Sequence, residues 1–157
     1  MARRKRVYKK PDLRDARYDS ALVARLINKL MERGKKSTAE RIVYAAIDKV
    51  NDGSKSVDPL EAVSRAFENA KPRLEVKSRR VGGATYQVPL ELSAERSESL
   101  AMRWIINYAR ARKGTPMWSA LANEIKEAAS GQGNAVRKRD DVHKMAQANR
   151  AFAHFRW

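Results

Sequence analysis

The stretch Leu74–Leu92, LEVKSRRVGGATYQVPLEL, decides the fold. Leu74 and Val76 alternate with Glu75 and Lys77, and beyond Gly82-Gly83 the residues Tyr86, Val88, Leu90 and Leu92 alternate with Gln87, Pro89 and Glu91. A period of two on both sides of a glycine pair is the pattern of a β-hairpin. Successive side chains of a strand point to opposite faces, and glycine supplies the positive φ that a two-residue turn demands. Pro89 has no amide donor, which confines its strand to a sheet edge or a bulge. Two strands alone are marginal in water, so this arm, about residues 73–92, needs helices at its base.

Helical patterns flank it on both sides. From Asp19 to Met31 the apolar residues Leu22, Val23, Leu26, Ile27, Leu30 and Met31 recur at helical spacing, and Gly34 follows as a stop. Ser37 and Glu40 have capping-box spacing ahead of Ile42, Val43, Ala46, Ile47 and Val50. Asp58-Pro59 opens a third helix with Leu60, Val63, Phe67 and Ala70, which stops before Pro72. Past the hairpin, Ser93 caps a fourth helix facing inward with Leu100, Ala101, Trp104, Ile105 and Tyr108 and ending near Gly114. Thr115-Pro116 starts a fifth with Trp118, Leu121, Ala122 and Ile125 inward, and a last helix from about Arg139 to Ala153 buries Val142, Met145, Ala146 and Phe152. The predicted fold is mainly α: a six-helix, bundle-like domain over 19–157 with one protruding β-hairpin arm and a flexible basic N-terminal extension over 1–18.

The charge balance points to a partner. Among 157 residues, 34 Lys and Arg stand against 18 Asp and Glu, a net of +16. The 43% apolar share is enough for a single core. With no cysteine, thiolate metal sites and disulfides are excluded, and His143 and His154, the two histidines, have no metal-ligand spacing. No catalytic centre, metal or cofactor is expected. Apolar runs such as Trp104-Ile105-Ile106 are far shorter than a membrane span, so no membrane partner is expected. So large an excess on a small domain calls for an anionic partner.

The cations are not spread evenly. Residues 1–18 carry Arg3, Arg4, Lys5, Arg6, Lys9, Lys10, Arg14 and Arg17 against Asp12 and Asp15, a net of +6. Such an arm is expected to order on a polyanion after the body docks. Residues 71–83 hold Lys71, Arg73, Lys77, Arg79 and Arg80 against Glu75, a net of +4. A thin basic ribbon ending in Gly82-Gly83 can enter a groove, although Lys and Arg also guard strand edges against aggregation. Arg96 and Arg103, seven apart on helix four, make one stripe. Arg110, Arg112 and Lys113 either satisfy the end of that helix or extend the stripe, and they are counted with it among the expected contacts of the anionic partner. Arg137-Lys138-Arg139 precede the expected last helix, where the dipole disfavours cations, which suggests an outside anion. Tyr86 either packs across the strands or stacks on a base, and Phe155 and Trp157 are further stacking candidates.

The residues Val76 to Pro89 (VKSRRVGGATYQVP), Leu100 to Trp104 (LAMRW), Met145 to Trp157 (MAQANRAFAHFRW), Gly34 to Ser37 (GKKS) and Asn69 to Pro72 (NAKP) together resemble the bacterial-type family of the seventh protein of the small ribosomal subunit. The resemblance runs over essentially the whole chain. It implies a cytoplasmic, non-enzymatic protein of the small subunit that binds the 3′ major domain of the ribosomal RNA, nucleates assembly of the head and lies near the exit-site transfer RNA. By motif, Arg3, Arg4, Lys5, Arg6, Lys35, Lys36, Lys77, Arg79, Arg80, Arg96 and Arg103 are expected to contact ribosomal RNA, and Arg110, Arg112 and Lys113 are counted with that stripe among the ribosomal-RNA contacts. The tip Val81, Gly82, Gly83 and Ala84, with Met145 and Asn149, is expected toward the transfer RNA. Implied partners include neighbouring head and platform proteins and, in some relatives, the messenger RNA of their own operon. Two other readings have less support. A helix-turn-helix DNA regulator needs a recognition helix offering Arg, Asn or Gln near its start, which no helix here shows convincingly. An acidic-membrane binder needs a basic amphipathic helix with aromatic anchors.

Overall fold

A computed structural model describes residues 13–52, 58 and 60–155. The order is α1 (Ala21–Leu30), α2 (Lys36–Asn51), α3 (Glu61–Ala70), β1 (Leu74–Val81), β2 (Ala84–Glu91), α4 (Ala94–Ala111), α5 (Met117–Ala129), α6 (Asn134–Ala148) and a C-terminal 3-10 helix (Arg150–Phe155). The expected mainly helical domain with one hairpin is what folds.

Helix α5 is the axis of the core. Its buried Ala120, Leu121, Ala122, Ile125 and Ala128 meet α2, α3 and α4. The alanines leave room for neighbours on three sides, and Val43, Ile47, Phe67, Met102 and Ile105 fill it. Helix ends are closed across elements. Asn69 Nδ2 donates to the terminal carbonyls of α5 at Ala128 (2.9 Å) and Ala129 (3.2 Å). Arg110 donates to the carbonyl of Leu30 at the end of α1, and Arg139 to that of Asn69.

β1 and β2 pair antiparallel from Leu74↔Glu91 to Val81↔Ala84, joined by Gly82 and Gly83 at φ 57° and 91°. A Cβ built at either glycine meets nothing within 4 Å, so the backbone angle and not crowding calls for glycine there. In a two-stranded sheet both strands are edges, and Pro89, opposite Val76, sits in an unbulged ladder. The base of the arm is tied down. Leu92 N–H donates to Arg73 O (3.1 Å), Ser97 Oγ to Pro72 O (2.6 Å), and Val88 is fully buried. The tip stands clear.

Several expectations are corrected. α2 begins at Lys36, and neither Ser37 nor any other side chain caps it. Ser93 sits at the N-cap of α4 without a side-chain bond. Asp58 does accept from the Leu60 amide at 2.8 Å, but the regular helix starts at Glu61. The last helix starts at Asn134, five residues before the expected Arg139, and buries Ala135, Val136 and Ala146. Met145 is 48% exposed, and Val142 and Phe152 are half-buried. Trp118 is 40% exposed, with Lys49 over its ring and not a core side chain.

The N-terminal boundary also moves. Asp15, buried, accepts the amides of Arg17 and Tyr18 and the Tyr44 hydroxyl (2.7 Å). Arg17 makes a bidentate pair with Asp48 at 3.0 and 2.8 Å. Residues 13–18 therefore belong to the body, while Arg3, Arg4, Lys5 and Arg6 lie outside the described residues, as does Trp157.

Candidate nucleic-acid interface

The register of the hairpin interleaves charge with apolar surface. Directly opposed residues share a face, so Lys77 stands with Val88, Arg79 with Tyr86 and Glu75 with Leu90, while Arg80 pairs with Thr85 on the other face. Val88 is buried and Lys77 exposed, so this strand pair carries the anchor and the cation together. Lys77, Arg79 and Arg80 make no ion pair among the described residues.

Helix α4 brings a second set to the same place. Arg96 holds Glu75 with two donors, at 3.2 and 2.8 Å, which locks the base of β1 to α4. The Glu75 carboxyl lies below the usual carboxylate range, chiefly through that bond, with Lys77 and Arg103 adding their fields. One carboxylate thus has cations from both elements around it. Arg103, one heptad on and exposed, makes no ion pair among the described residues. Lys77, Arg96 and Arg103 stand around Glu75 where hairpin meets α4, and Arg79 and Arg80 lie farther out along β1, Arg80 on the other face beside the turn, so the cations run from the base of the arm toward its tip, a surface able to take several phosphates.

Other expected residues are placed elsewhere. Lys35 is exposed at the N-cap of α2, and Lys36 reaches Glu40 at 3.6 Å. Arg110 pairs with Glu32 (2.8 Å), in addition to its bond to Leu30. Arg112 is engaged within the chain. Its Nη2 donates to Glu127 and, at 2.6 Å, to the fully buried Glu124, which raises its pKa. Lys113, beside it, is exposed. Arg137, Lys138 and Arg139 do not precede α6 but lie in its first turns, and Arg139 holds Asp140 and the α3 carbonyl.

The tip Val81, Gly82, Gly83 and Ala84 forms the solvent end of the hairpin. Met145 is exposed on α6, and Asn149 Nδ2 turns back to the Met145 carbonyl at 2.8 Å. Tyr86 and Phe155 are not held out for bases. Their rings pack together at 5.2 Å, and Phe152 joins Tyr86 at 5.1 Å, clasping the 3-10 helix to β2.

Two positioning groups escaped the sequence reading. Glu124 Oε1 accepts the Ala135 amide (3.0 Å) at the start of α6, so one buried carboxylate joins α4, α5 and α6. Its signal was a carboxylate on the same helical stripe as Leu121 and Ala128. His143 Nε2 accepts the Arg73 amide (2.9 Å), which links α6 to β1. Burial, then the Arg139 charge, lowers its pKa, so the neutral ring that accepts this bond is favoured at neutral pH.

The geometry can be set beside known proteins. A family profile described as Ribosomal protein S7p/S5e matches residues 2–150. The chain is similar to small ribosomal subunit protein uS7 of Akkermansia muciniphila, 76% identical over 157 residues with both chains fully covered. It is 55% identical to the protein of that name from Desulfotalea psychrophila and 53% to that from Protochlamydia amoebophila, again over the full length of both.

Proposed function

The chain belongs to the S7p/S5e family of ribosomal proteins, non-enzymatic constituents of the small subunit, and from that premise we propose that it binds the 3′ major domain of the small-subunit RNA directly and nucleates folding of the head. The observation that supports this reading is the run of cations from Arg96, Arg103 and Lys77, which surround Glu75, out along β1 through Arg79 and Arg80. Phosphates of several RNA helices repel one another at a junction. A rigid body with a basic ribbon standing out from it neutralises many at once and lowers the barrier to compaction. Shape and phosphate geometry, more than base edges, would give the specificity.

In the same reading the hairpin tip and the Met145 side of α6 face the exit-site transfer RNA, and neighbouring head and platform proteins complete the surroundings. Binding to the messenger RNA of its own operon would use the same cationic junction. Residues Arg3 to Arg6 and Lys35 and Lys36 add phosphate contacts outside the junction.

The test is binding of the full chain to the 3′ major-domain transcript and to a scrambled RNA of equal length, over a range of salt. Lys77, Arg79 and Arg80 are changed together to Ala in parallel. A preference for the transcript that survives raised salt and falls in the triple variant is expected. Equal affinity for both RNAs, lost together as salt rises, would leave only a polycation and overturn the reading.

A further inference from the structure

An acid stands in the middle of the cationic surface. Glu75 is the carboxylate of β1, and a carboxylate repels phosphate, so charge alone would favour a neutral residue there. Its surroundings give it another use. The hairpin packs on α6 and the 3-10 helix. Helix α4 packs on α1, α3, α5 and α6, and no packing of similar extent joins it to either strand among the described residues. Its links to the arm are polar. The Ser97 hydroxyl holds the Pro72 carbonyl, ahead of the strand, and Arg96 holds Glu75 on the strand itself.

Arg96 meets that carboxylate side-on. Nε donates to one oxygen at 3.2 Å and Nη2 to the other at 2.8 Å. A guanidinium carries five N–H donors in one plane, so the pair takes two of them and fixes the direction of the rest. The Arg96 side chain is 44% exposed against 20% for Glu75, so the acid is the more covered partner and the guanidinium the more open one. Lys77 and Arg103 add their fields to the same carboxylate. An arginine held by one edge presents the other without first losing rotamer freedom, which is the usual cost of ordering so long a side chain.

We propose that Glu75 is a positioning residue for RNA binding: it touches no RNA, but it sets the angle of the β-arm on α4 and turns the open edge of Arg96 toward a phosphate. The proposal rests on the RNA-binding reading above and deepens it. Its consequence is the reverse of what charge dictates, because neutralising an acid on this face weakens binding.

The test compares the full chain with Glu75→Gln, Arg96→Gln and the double variant on the 3′ major-domain transcript at one salt concentration. Glu75→Gln lowers affinity about tenfold, the loss for an arm that spends about one tenth of its time in the binding orientation. In the Arg96→Gln background the same change has almost no further effect, because the two side chains act as one unit. The chain has no cysteine, so spin labels at Thr85→Cys on the arm and Asn107→Cys on α4, both exposed positions, read the distance between the two elements. That distance distribution broadens in Glu75→Gln. Arg96→Lys, which keeps the cation and loses the two-donor grip, shows the same broadening and carries the test if circular dichroism finds Glu75→Gln unfolded. Parental or tighter binding by Glu75→Gln, a loss that adds in full to that of Arg96→Gln, or an unbroadened distance each overturns the proposal. If the hairpin triple variant weakens binding and Glu75→Gln does not, this proposal alone falls. If the transcript and the scrambled RNA bind alike, the RNA reading falls and takes this one with it.

Discussion

Glu124 shows how much one side chain can organise. It is fully buried, yet both oxygens are used, one by Arg112 and one by the Ala135 amide. Replacing it with Leu leaves the Ala135 amide without its acceptor and Arg112 with Glu127 alone. Urea unfolding should show a loss of about 1–3 kcal/mol, the usual cost of leaving a buried donor unsatisfied. Tyr44 makes a prediction of another kind. Its hydroxyl donates to buried Asp15, and that bond, with burial, pushes its pKa up to about 12 from 10. A group whose folded pKa is raised binds its proton more tightly in the native state. Its stabilisation is complete below pH 10 and declines as pH rises toward 12. Chemical denaturation across that range should show the decline in the parent, and Tyr44→Phe should flatten it. In sequence Glu124 showed only by its place on the apolar stripe of Leu121 and Ala128, and Tyr44 not at all, because a tyrosine in a helix looks alike whether it faces water or a partner.

Among the elements, the hairpin was the most legible and the last helix the least. Strand alternation on both sides of Gly82-Gly83 defines arm and turn together, and the observed ladder keeps that turn at its end. Changing both glycines to Ala forces L-residues to φ 57° and 91°. The expected cost is about 2–4 kcal/mol, confined to the arm. Amide hydrogen exchange should quicken over β1 and β2 while α2, α3 and α5 keep their protection. The start of α6 was misplaced because Asp140 and Asp141 resemble first-turn acids. The acid at that helix start is Glu124 instead, supplied from another helix eleven residues earlier. Trp118 was misread for a related reason: helical periodicity assigns a face to a residue, but cannot say whether a neighbour covers the first turn.

For the whole molecule, net charge and its clustering were legible, but which cations are already engaged was not. Arg17, Arg96, Arg110, Arg112 and Arg139 all hold carboxylates of their own chain. The gross count of 34 Lys and Arg therefore overstates the cations free to meet RNA, while the net of +16 already subtracts these carboxylates. If about ten phosphates are neutralised, log affinity should fall against log salt with a slope of roughly −7 to −9. Loss of the three hairpin cations should make the slope shallower by about 2 to 3. A slope near zero in a filter-binding titration would mean that the charge does not drive association.

The aromatic clasp also sets an order in time. Tyr86 meets Phe152, a residue added sixty-six positions later. At about 5–20 residues per second, a growing chain carries its β-arm for roughly 3 to 13 seconds before that ring exists. During that interval the arm lacks its latch, so its final orientation is one of the later events in the protein's synthesis.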